Sequence, residues 1–387
     1  TPARSPGGEA RGRGTQRILE TRFRALAPCR GAPRTPTIGI MHDQPLLPTQ
    51  RLLSIQELEP VLDGIGTPVA TRLLSGGTFS AVQAVDLADG RRVVAKVAVP
   101  EGALPDGRTP LLTYERDMLR SEHDMLRLLE PLKGVPSPRV LAADFSRAHV
   151  EVDVVVTDFM PGTPWDTVLD TMSPEANERA YHEVGAILAA LKDVRGRRFG
   201  YPARDFELGG DTWPEFVNLL FETVVADAAE WEVDIEADRV LAALELAQEA
   251  LAEVTEPLAV HNDLWHGNVL LTPQTGEVHG VVDFERTLFG DPIWEFVGAE
   301  SHTPGPTTPA LLAGYEAAGR PLPRDPDAGT VSGFTPAADL RTAIYRLWSM
   351  SVQFIEIVPR GFHGDWVAGH RESIIGVRRE VLDRLGV

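Results

Sequence analysis

The chain changes its sequence pattern near residue 160, and this change restricts the possible fold more than any other feature. Between about residues 68 and 100, the runs TRLLSGG, FSAVQAVDL and RRVVAKVAV alternate apolar with polar residues or are rich in β-branched side chains, as in short antiparallel strands. The segment DVVVTDFMPG at 153–162 predicts one more strand, and the pattern beyond it is mostly helical. We predict an α+β bilobal fold: a small antiparallel β-sheet lobe with one helix, a hinge at 158–162, and a larger, mostly helical lobe.

Length and composition are compatible with such a fold. At 387 residues and 43% hydrophobic content, the chain can bury a sizeable core. The single cysteine, Cys29, rules out an internal disulfide framework, so nothing requires an oxidising compartment. The sequence has no run of about eighteen apolar residues, which argues against a membrane partner. We therefore predict a cytoplasmic protein.

Charge divides the chain into two unlike parts. Residues 1–40 contain eight arginines and two glutamates, a net of +6, whereas the whole chain has a net charge of −19. This first segment lacks a periodic apolar pattern and is predicted to be a disordered basic leader; a targeting role and an over-extended reading frame are both compatible with it. We assign residues 41–160 to the N-lobe and 161–387 to the C-lobe. The acidic remainder argues against nucleic acid and is compatible with a cationic substrate.

The predicted N-lobe contains two features that suit nucleotide phosphates. Gly76 and Gly77 lie in the turn SGGTFS, where their backbone N–H groups, with Thr78 and Ser80 beside them, can approach phosphate oxygens; an ordinary hairpin turn is the alternative. Lys96 lies in the middle of the strand VVAKVAV, where it is either a protective edge-strand charge or a phosphate ligand.

A helix after this strand offers a partner for Lys96. The segment TYERDMLRSEHDMLRLLEPLKG contains Glu115 and Glu122, and either could pair with the lysine. Glu122 is favoured, because it leads into the apolar face that must pack on the sheet, although a solvated helix charge is the alternative. The hinge residues Asp158, Phe159 and Met160 are assigned to nucleotide binding.

Two motifs in the second half of the chain contain the catalytic groups. HNDLWHGNVLL at 261–271 has the spacing H-x-D-x-x-x-x-N, and GVVDFERTLFGDP at 280–292 places an aspartate after an apolar strand. Glycine turn, strand lysine, helix glutamate, hinge and these motifs follow the order of the protein-kinase-like signature set. In this arrangement Asp263 accepts or orients the proton of the attacking hydroxyl, and Asn268 and Asp283 bind the Mg²⁺ that bridges the phosphates of ATP.

These residues resemble the aminoglycoside phosphotransferase and choline/fructosamine kinase superfamily. The resemblance extends over roughly residues 50–380 and is most specific in HNDLWHGNVLL and GVVDFERTLFGDPIWEF. One position departs from the family, which usually has glycine where this chain has Asn262, a residue that tolerates unusual backbone angles. Glu285 suits the antibiotic-kinase branch of the family. Only six residues separate Asp283 from Gly290, which is too few for a protein-kinase activation loop.

Other polar residues of these motifs are predicted to have structural roles. Asp291 is expected to brace the catalytic loop, and His261 to pack beneath it. His266 and His279 lack the spacing of a zinc site.

The identity of the acceptor is the least determined feature. The helix at 213–238 is rich in carboxylates, which form a solvated face or line a cleft for a cationic alcohol. Glu356, flanked by apolar residues, is the best single candidate for a substrate carboxylate, with Trp265 and Glu285 also assigned to the substrate. We predict an ATP- and Mg²⁺-dependent phosphotransferase acting on a small, cationic, aminoglycoside-like acceptor. The alternatives are a sugar or fructosamine kinase and a non-catalytic pseudokinase; the oligomeric state stays open.

Overall fold

The computed structural model describes residue 47 and residues 50–74, 79–300 and 307–387. The predicted leader at 1–40 and the predicted phosphate-binding residues Gly76, Gly77 and Thr78 lie outside this part of the chain. None of the helices in the described ranges is long and apolar enough to cross a membrane.

A five-stranded antiparallel sheet forms the first lobe. Its strands lie in the order β1-β2-β3-β5-β4, and their bounds are β1 (Pro68–Leu73), β2 (Ala81–Leu87), β3 (Arg92–Val97), β4 (Val140–Asp144) and β5 (Val154–Asp158). Lys96 on β3 pairs with Val82 of β2 on one side and Val155 of β5 on the other. Because β3 has a neighbour on both sides, Lys96 is not an edge-strand charge.

Two helices accompany this sheet. The predicted helix is α2 (Met118–Leu129), and its buried face includes Met118, Met125, Leu126 and Glu122. A second, short helix, α1 (Ile55–Val61), precedes the sheet and adds to the single helix predicted. Its first turn is closed by a capping box in which Ser54 and Glu57 satisfy each other's backbone N–H groups.

The second lobe is mostly helical. Its helices are α3 (Pro174–Leu191), α4 (Ala203–Phe206), α5 (Trp213–Glu230), α6 (Ala237–Leu246), α7 (Gln248–Leu251), α8 (Trp294–Ala299), α9 (Pro309–Ala317), α10 (Pro336–Glu356) and α11 (Asp365–Leu385). The shortest of them, α4, contains two residues with left-handed backbone, Arg204 and Asp205. Because α5 and α10 pack side by side at the centre of the lobe, their aromatic residues form its core.

Short strands position the two motifs of this lobe. One sheet has the order β11-β10-β6 and the other β8-β7-β12-β9. Their bounds are β6 (Thr163–Pro164), β7 (Phe199–Gly200), β8 (Gly209–Gly210), β9 (Leu258–Val260), β10 (Val269–Thr272), β11 (Glu277–Val281) and β12 (Leu288–Gly290). Residues 261–268 connect β9 to β10, and residues 282–287 connect β11 to β12. Because β9 pairs with β12 and β10 pairs with β11, the two loops lie side by side.

The core of the second lobe supports these loops from below. Trp294 and Tyr345 stack with ring centroids 4.2 Å apart, and Trp348 is also buried. Asp291 accepts hydrogen bonds from the Ile293 backbone and from the side chains of Arg341 and Tyr345, the last two at 2.8 Å. Asp291 therefore ties the segment after β12 to α10, so its role is structural, whereas the predicted bracing of the catalytic loop is done by Glu295.

A segment between β3 and α2 connects the two lobes. Leu112 and Tyr114 of this segment pack into the core of the second lobe. The backbone N–H and hydroxyl of Thr113 donate to the carboxylate of Asp227 on α5, at 2.9 and 2.6 Å. Asp227, one of the carboxylates of the acidic helix, therefore binds the segment that connects the lobes.

Candidate active site

Lys96 gathers carboxylates from both lobes around its amine. The Lys96 Nζ lies 2.8 Å from both carboxylate oxygens of Glu122 and 2.5 Å from Asp283 Oδ1. Glu285 Oε2 is 3.9 Å from the same nitrogen. The structure thus brings Lys96 together with Glu122, whereas Glu115 lies elsewhere in a different ion pair.

Charge and burial oppose each other in this group, which we call the lysine cluster (Lys96, Glu122, Asp283 and Glu285). Burial raises the pKa of Glu285 well above its ordinary value, and the charge of Asp283 adds to this increase. Burial also raises the pKa of Glu122, although Lys96 opposes this. Burial acts in the same direction on Asp283, but the charge and hydrogen bond of Lys96 outweigh it and hold the pKa of Asp283 below its ordinary value. Burial lowers the pKa of Lys96, yet the surrounding carboxylates raise it above its ordinary value, so the amine stays charged.

Glu285 connects this cluster to the turn before β2. Its Oε2 atom accepts a hydrogen bond from the Ser80 hydroxyl at 3.3 Å, and both side chains are buried. Ser80 was assigned to the nucleotide and Glu285 to the substrate; the structure places the two in contact with each other. The Phe284 N–H also donates to Glu122, at 3.2 Å, so α2 holds the loop that contains Asp283.

The hinge borders the same cleft. The Asp158 carboxylate is bound to the Arg139 backbone N–H and to the Arg139 guanidinium at 2.7 and 2.9 Å, so it acts within the protein. Phe159 is exposed, and Met160 packs against β11 so closely that a Cβ at Gly280 would lie 3.0 Å from the methionine methyl group. Met160 therefore supplies apolar surface where the hinge meets β11.

The backbone of the catalytic loop is fixed by a buried glutamate. Glu295 at the start of α8 accepts hydrogen bonds from the backbone N–H groups of His261 at 2.6 Å and of Asn262 at 3.3 Å. Asn262 has a left-handed backbone with φ of 64°, and its side chain donates to the Tyr201 hydroxyl at 3.2 Å. The family's glycine position thus requires a positive φ that asparagine adopts. His261 is buried, with its Nε2 atom 3.1 Å from the Val282 carbonyl, so it packs beneath the loop as predicted.

Asp263 lies at the open edge of this loop. Its side chain is 26% exposed, and its Oδ2 atom is 3.7 Å from Arg286 Nε. Burial raises the pKa of Asp263 to about 7, although the nearby guanidinium of Arg286 opposes the increase. A carboxylate with a pKa near neutrality can both accept and release a proton, as a general base must.

The residues assigned to Mg²⁺ have the donor atoms that this ion prefers. Asn268 donates its Nδ2 hydrogen to the Asp263 carbonyl at 2.7 Å, which orients its Oδ1 atom away from that carbonyl. Asp283 has a left-handed backbone and is 29% exposed, and the Val282 N–H donates to the Asn268 carbonyl. Oxygen atoms of Glu122, Asp283 and Glu285 also lie within 4.8 Å of one another. These carboxylates and the amide fit a hard divalent cation.

A second ionic group, which sequence reasoning missed, borders Asp263. We call it the acceptor-side quartet: Arg286, Glu115, Glu356 and Arg360. Arg360 forms ion pairs with Glu115 and, at 2.9 Å, with Glu356. Arg286 lies between Asp263 and this pair, with its Nη2 atom 3.7 Å from Glu356 and 3.9 Å from Glu115. Glu356, assigned to the substrate, therefore has two arginine neighbours within the protein.

Two further regions were predicted to contact the substrate: Trp265 and the acidic helix. Trp265 folds over its own loop, since a Cβ at Gly267 would lie 2.2 Å from the indole ring. Of the acidic helix, Asp227 binds Thr113 and Glu215 caps the first turn of α5. His266 lies behind the loop, 2.8 Å from the Tyr181 hydroxyl, and not in a metal site of the described residues.

Comparison with protein families gives one match that covers most of the chain. A model described as the phosphotransferase enzyme family matches residues 69–330. No curated protein sequence matches the chain significantly.

Several solved structures share the fold. A putative aminoglycoside phosphotransferase from Ralstonia eutropha JMP134 is 16% identical, with a TM-score of 0.57 over 86% of this chain and 98% of that one. A thermostable mutant of aminoglycoside phosphotransferase APH(4)-Ia is 20% identical, with a TM-score of 0.54 over 84% and 99%. A putative fructosamine-3-kinase from Thermobifida fusca YX-ER1 is 19% identical, with a TM-score of 0.53 over 83% and 97%. The predicted resemblance and the predicted bilobal, protein-kinase-like fold are both confirmed.

Proposed function

The chain belongs to the phosphotransferase enzyme family, and on this premise we propose that it transfers the γ-phosphoryl group of ATP to a hydroxyl of a small molecule with the help of Mg²⁺. The observation that carries the proposal is the position of Asp263 close to Asp283 of the lysine cluster and 3.7 Å from Arg286 of the acceptor-side quartet. One partly open carboxylate thus lies next to a separate group of cation-binding residues, as phosphoryl transfer requires.

Asp263 acts on the acceptor. Its carboxylate accepts the proton of the attacking hydroxyl while the new oxygen–phosphorus bond forms and the bond between the β- and γ-phosphoryl groups breaks. Glu295 and Tyr201 hold the backbone and side chain of Asn262, the preceding residue, so the loop geometry does not depend on the acceptor. Such fixed positioning is a main source of rate in this reaction.

The lysine cluster acts on the nucleotide. Lys96 is charged and aimed into the cleft, where its amine can bind phosphate oxygens, while Glu122 keeps it in place through two 2.8 Å contacts. Asp283 and Asn268 would hold Mg²⁺, which when bound neutralises the negative charge of the phosphates. Support for ATP comes from APH(2″)-IIa, which has the same fold and was solved with streptomycin and ATP bound.

Two acceptor classes have specific support. A cationic acceptor of the aminoglycoside type agrees with the acidic composition of the chain and with the phosphotransferase neighbours. A sugar or fructosamine acceptor agrees with the fructosamine-3-kinase neighbour. Raised ionic strength should weaken the binding of a cationic acceptor and leave that of a neutral sugar nearly unchanged.

The proposal is tested by incubating the full chain with ATP, Mg²⁺ and a panel of aminoglycosides, amino sugars and neutral polyols. We expect mass spectrometry to detect one added phosphoryl group on a panel member. The matched control is Asp263→Asn, which should bind ATP and form no detectable product in the same time. Nucleotide binding without turnover across the whole panel would instead support the pseudokinase alternative.

A further inference from the structure

Arg286 flanks the proposed general base on the acceptor side. It follows Asp283 by three residues, so the same loop presents both side chains. Its Nε atom lies 3.7 Å from Asp263 Oδ2, and its guanidinium lies 5.9 Å from the centre of the Tyr114 ring. Arg286 is 17% exposed and Asp263 is 26% exposed, so both of these neighbouring side chains are partly accessible to a ligand.

The side-chain N–H groups of Arg286 donate no hydrogen bond to the part of the chain that the structure describes. Its three carboxylate neighbours, Asp263, Glu115 and Glu356, lie at 3.7 to 3.9 Å, which is beyond hydrogen-bonding distance. Within the described residues no other group accepts a hydrogen bond from this side chain. A guanidinium with five donors, mostly shielded from water and without a hydrogen bond, is costly unless a ligand binds it.

Arg360 explains why these donors stay available. It is 2% exposed and pairs closely with both Glu115 and Glu356, the latter at 2.9 Å. The two glutamates therefore have their closest partner in Arg360, and they attract Arg286 without binding its hydrogens. The quartet holds Arg286 in place by charge and leaves its donors without a close acceptor among these carboxylates.

The charges around Arg286 determine which kind of chemical group can bind to it. An ammonium group would lie against a positively charged guanidinium that has donors and no acceptor, and the two glutamates that could attract it are already paired with Arg360. A full anion would meet the three carboxylates that surround Arg286. An uncharged oxygen avoids both conflicts, because it can accept hydrogen bonds from Arg286 while a neighbouring hydroxyl binds Asp263.

We propose that Arg286 is a specificity-determining residue that binds an uncharged oxygen on the carbon next to the reacting hydroxyl, so that the enzyme selects acceptors with a vicinal diol at the site of phosphorylation. Because the two side chains are adjacent, oxygens bound to each lie only a few ångströms apart, as in hydroxyls on neighbouring carbons. This inference rests on the proposed function, and it holds for a neutral sugar or for an aminoglycoside whose reacting ring has this diol.

The test uses three probes that share a cyclohexanol ring and differ only in the group on the carbon next to the hydroxyl: trans-1,2-cyclohexanediol, cyclohexanol and trans-2-aminocyclohexanol. Phosphorylation by ATP and Mg²⁺ is measured for the wild type, Arg286→Gln, Arg286→Lys and the control Arg195→Gln, which alters an exposed arginine whose ion pair with Glu256 lies outside both motifs. We expect kcat/KM of the wild type for the diol to exceed the other two values by about tenfold or more. The ratio of kcat/KM for the diol to that for either other probe should fall to near one in Arg286→Gln. It should stay partly elevated in Arg286→Lys and be unchanged in Arg195→Gln.

The outcomes separate this inference from the proposed function. A wild type that prefers the amino alcohol or shows no preference overturns the inference, as does a ratio unchanged in a folded Arg286→Gln variant. If ATP binds but neither these probes nor any member of the acceptor panel is phosphorylated, the proposed function fails. The same probes are then compared by ligand-observed NMR, where a preference for the diol that depends on Arg286 retains the binding inference, and equal binding overturns it.

Discussion

The lysine cluster and the acceptor-side quartet both contribute charges that act on Asp263, and they are built differently. In the lysine cluster, contacts between charged atoms are as short as 2.5 Å, and one lysine faces three carboxylates. In the quartet, Arg360 is paired closely, while Arg286 stays at 3.7 to 3.9 Å from each carboxylate around it. The cluster therefore has more carboxyl groups than cations, and the quartet has a loosely held cation.

This difference matches two different tasks. An excess of carboxylates at the lysine cluster is unfavourable until a divalent cation and the nucleotide phosphates supply the missing charges. The quartet is balanced within itself, so it needs no ion and can present hydrogen-bond donors. If the proposed function holds, the nucleotide side is thus prepared for charge, and the acceptor side for an uncharged, oriented group.

The largest effects should distinguish Asp263 from Asp283. Asp263→Asn keeps the shape of the side chain but removes its basicity, so turnover should fall by roughly two to four orders of magnitude while nucleotide affinity barely changes. Asp283→Asn should weaken Mg²⁺-dependent nucleotide binding as well as turnover, because Asp283 belongs to the lysine cluster. Calorimetric titration with a non-hydrolysable nucleotide, with and without Mg²⁺, measures both.

The opposite effects of the two variants on nucleotide affinity would contradict the assignment of the lysine cluster to the nucleotide and of Asp263 to the acceptor. If Asp263→Asn lost nucleotide affinity and Asp283→Asn kept it, the two sides would have to exchange roles. Unchanged turnover in Asp263→Asn would remove the general base from the mechanism.

A large loss of stability is expected from the buried arginine of the quartet. Arg360→Gln leaves Glu115 and Glu356 without their closest partner, so the free energy of unfolding should fall by about 3–5 kcal/mol. Arg195→Gln breaks an ion pair in which the arginine is 61% exposed, and it should cost about 0–1 kcal/mol. Urea denaturation compares the two variants. Equal losses would mean that the quartet contributes no more than a surface ion pair.

Sequence predicted the lysine cluster better than the quartet, for a physical reason. Lys96 and Asp283 follow from strands whose pattern is local, and Glu122 was preferred because it shares the buried face of one helix. Arg360 and Glu115 are 245 positions apart, and no local pattern indicates that two buried charges will pair across such a separation. Arg286 had a usable signal, since it lies three residues after Asp283. The pairing of β5 with β3, which excludes an edge position for Lys96, also could not be predicted from the sequence and follows only from the sheet topology.

The pH dependence of turnover should report the surroundings of Asp263. Burial raises the pKa of Asp263 to about 7, and only the ionised carboxylate accepts a proton. Turnover should therefore increase about tenfold from pH 6 to pH 8 and then level off. The measurement is kcat/KM for the acceptor at saturating nucleotide, with Asp263→Asn as the control that should lose this dependence. A profile already level at pH 5.5 would mean that the bound complex removes the effect of burial.

The smallest effect is expected at Asn262, where backbone geometry and a side-chain contact can be separated. Asn262→Gly suits the left-handed φ of 64° but loses the hydrogen bond to Tyr201, so stability should stay within about 1 kcal/mol of the wild type. Asn262→Val has a β-branched side chain that this backbone disfavours, and it should cost about 2 kcal/mol or more. Tyr201→Phe removes the hydroxyl alone. If Asn262→Gly were as damaging as Asn262→Val, then the contact with Tyr201, rather than the backbone angle, would determine this part of the loop, and Tyr201→Phe would show the same loss.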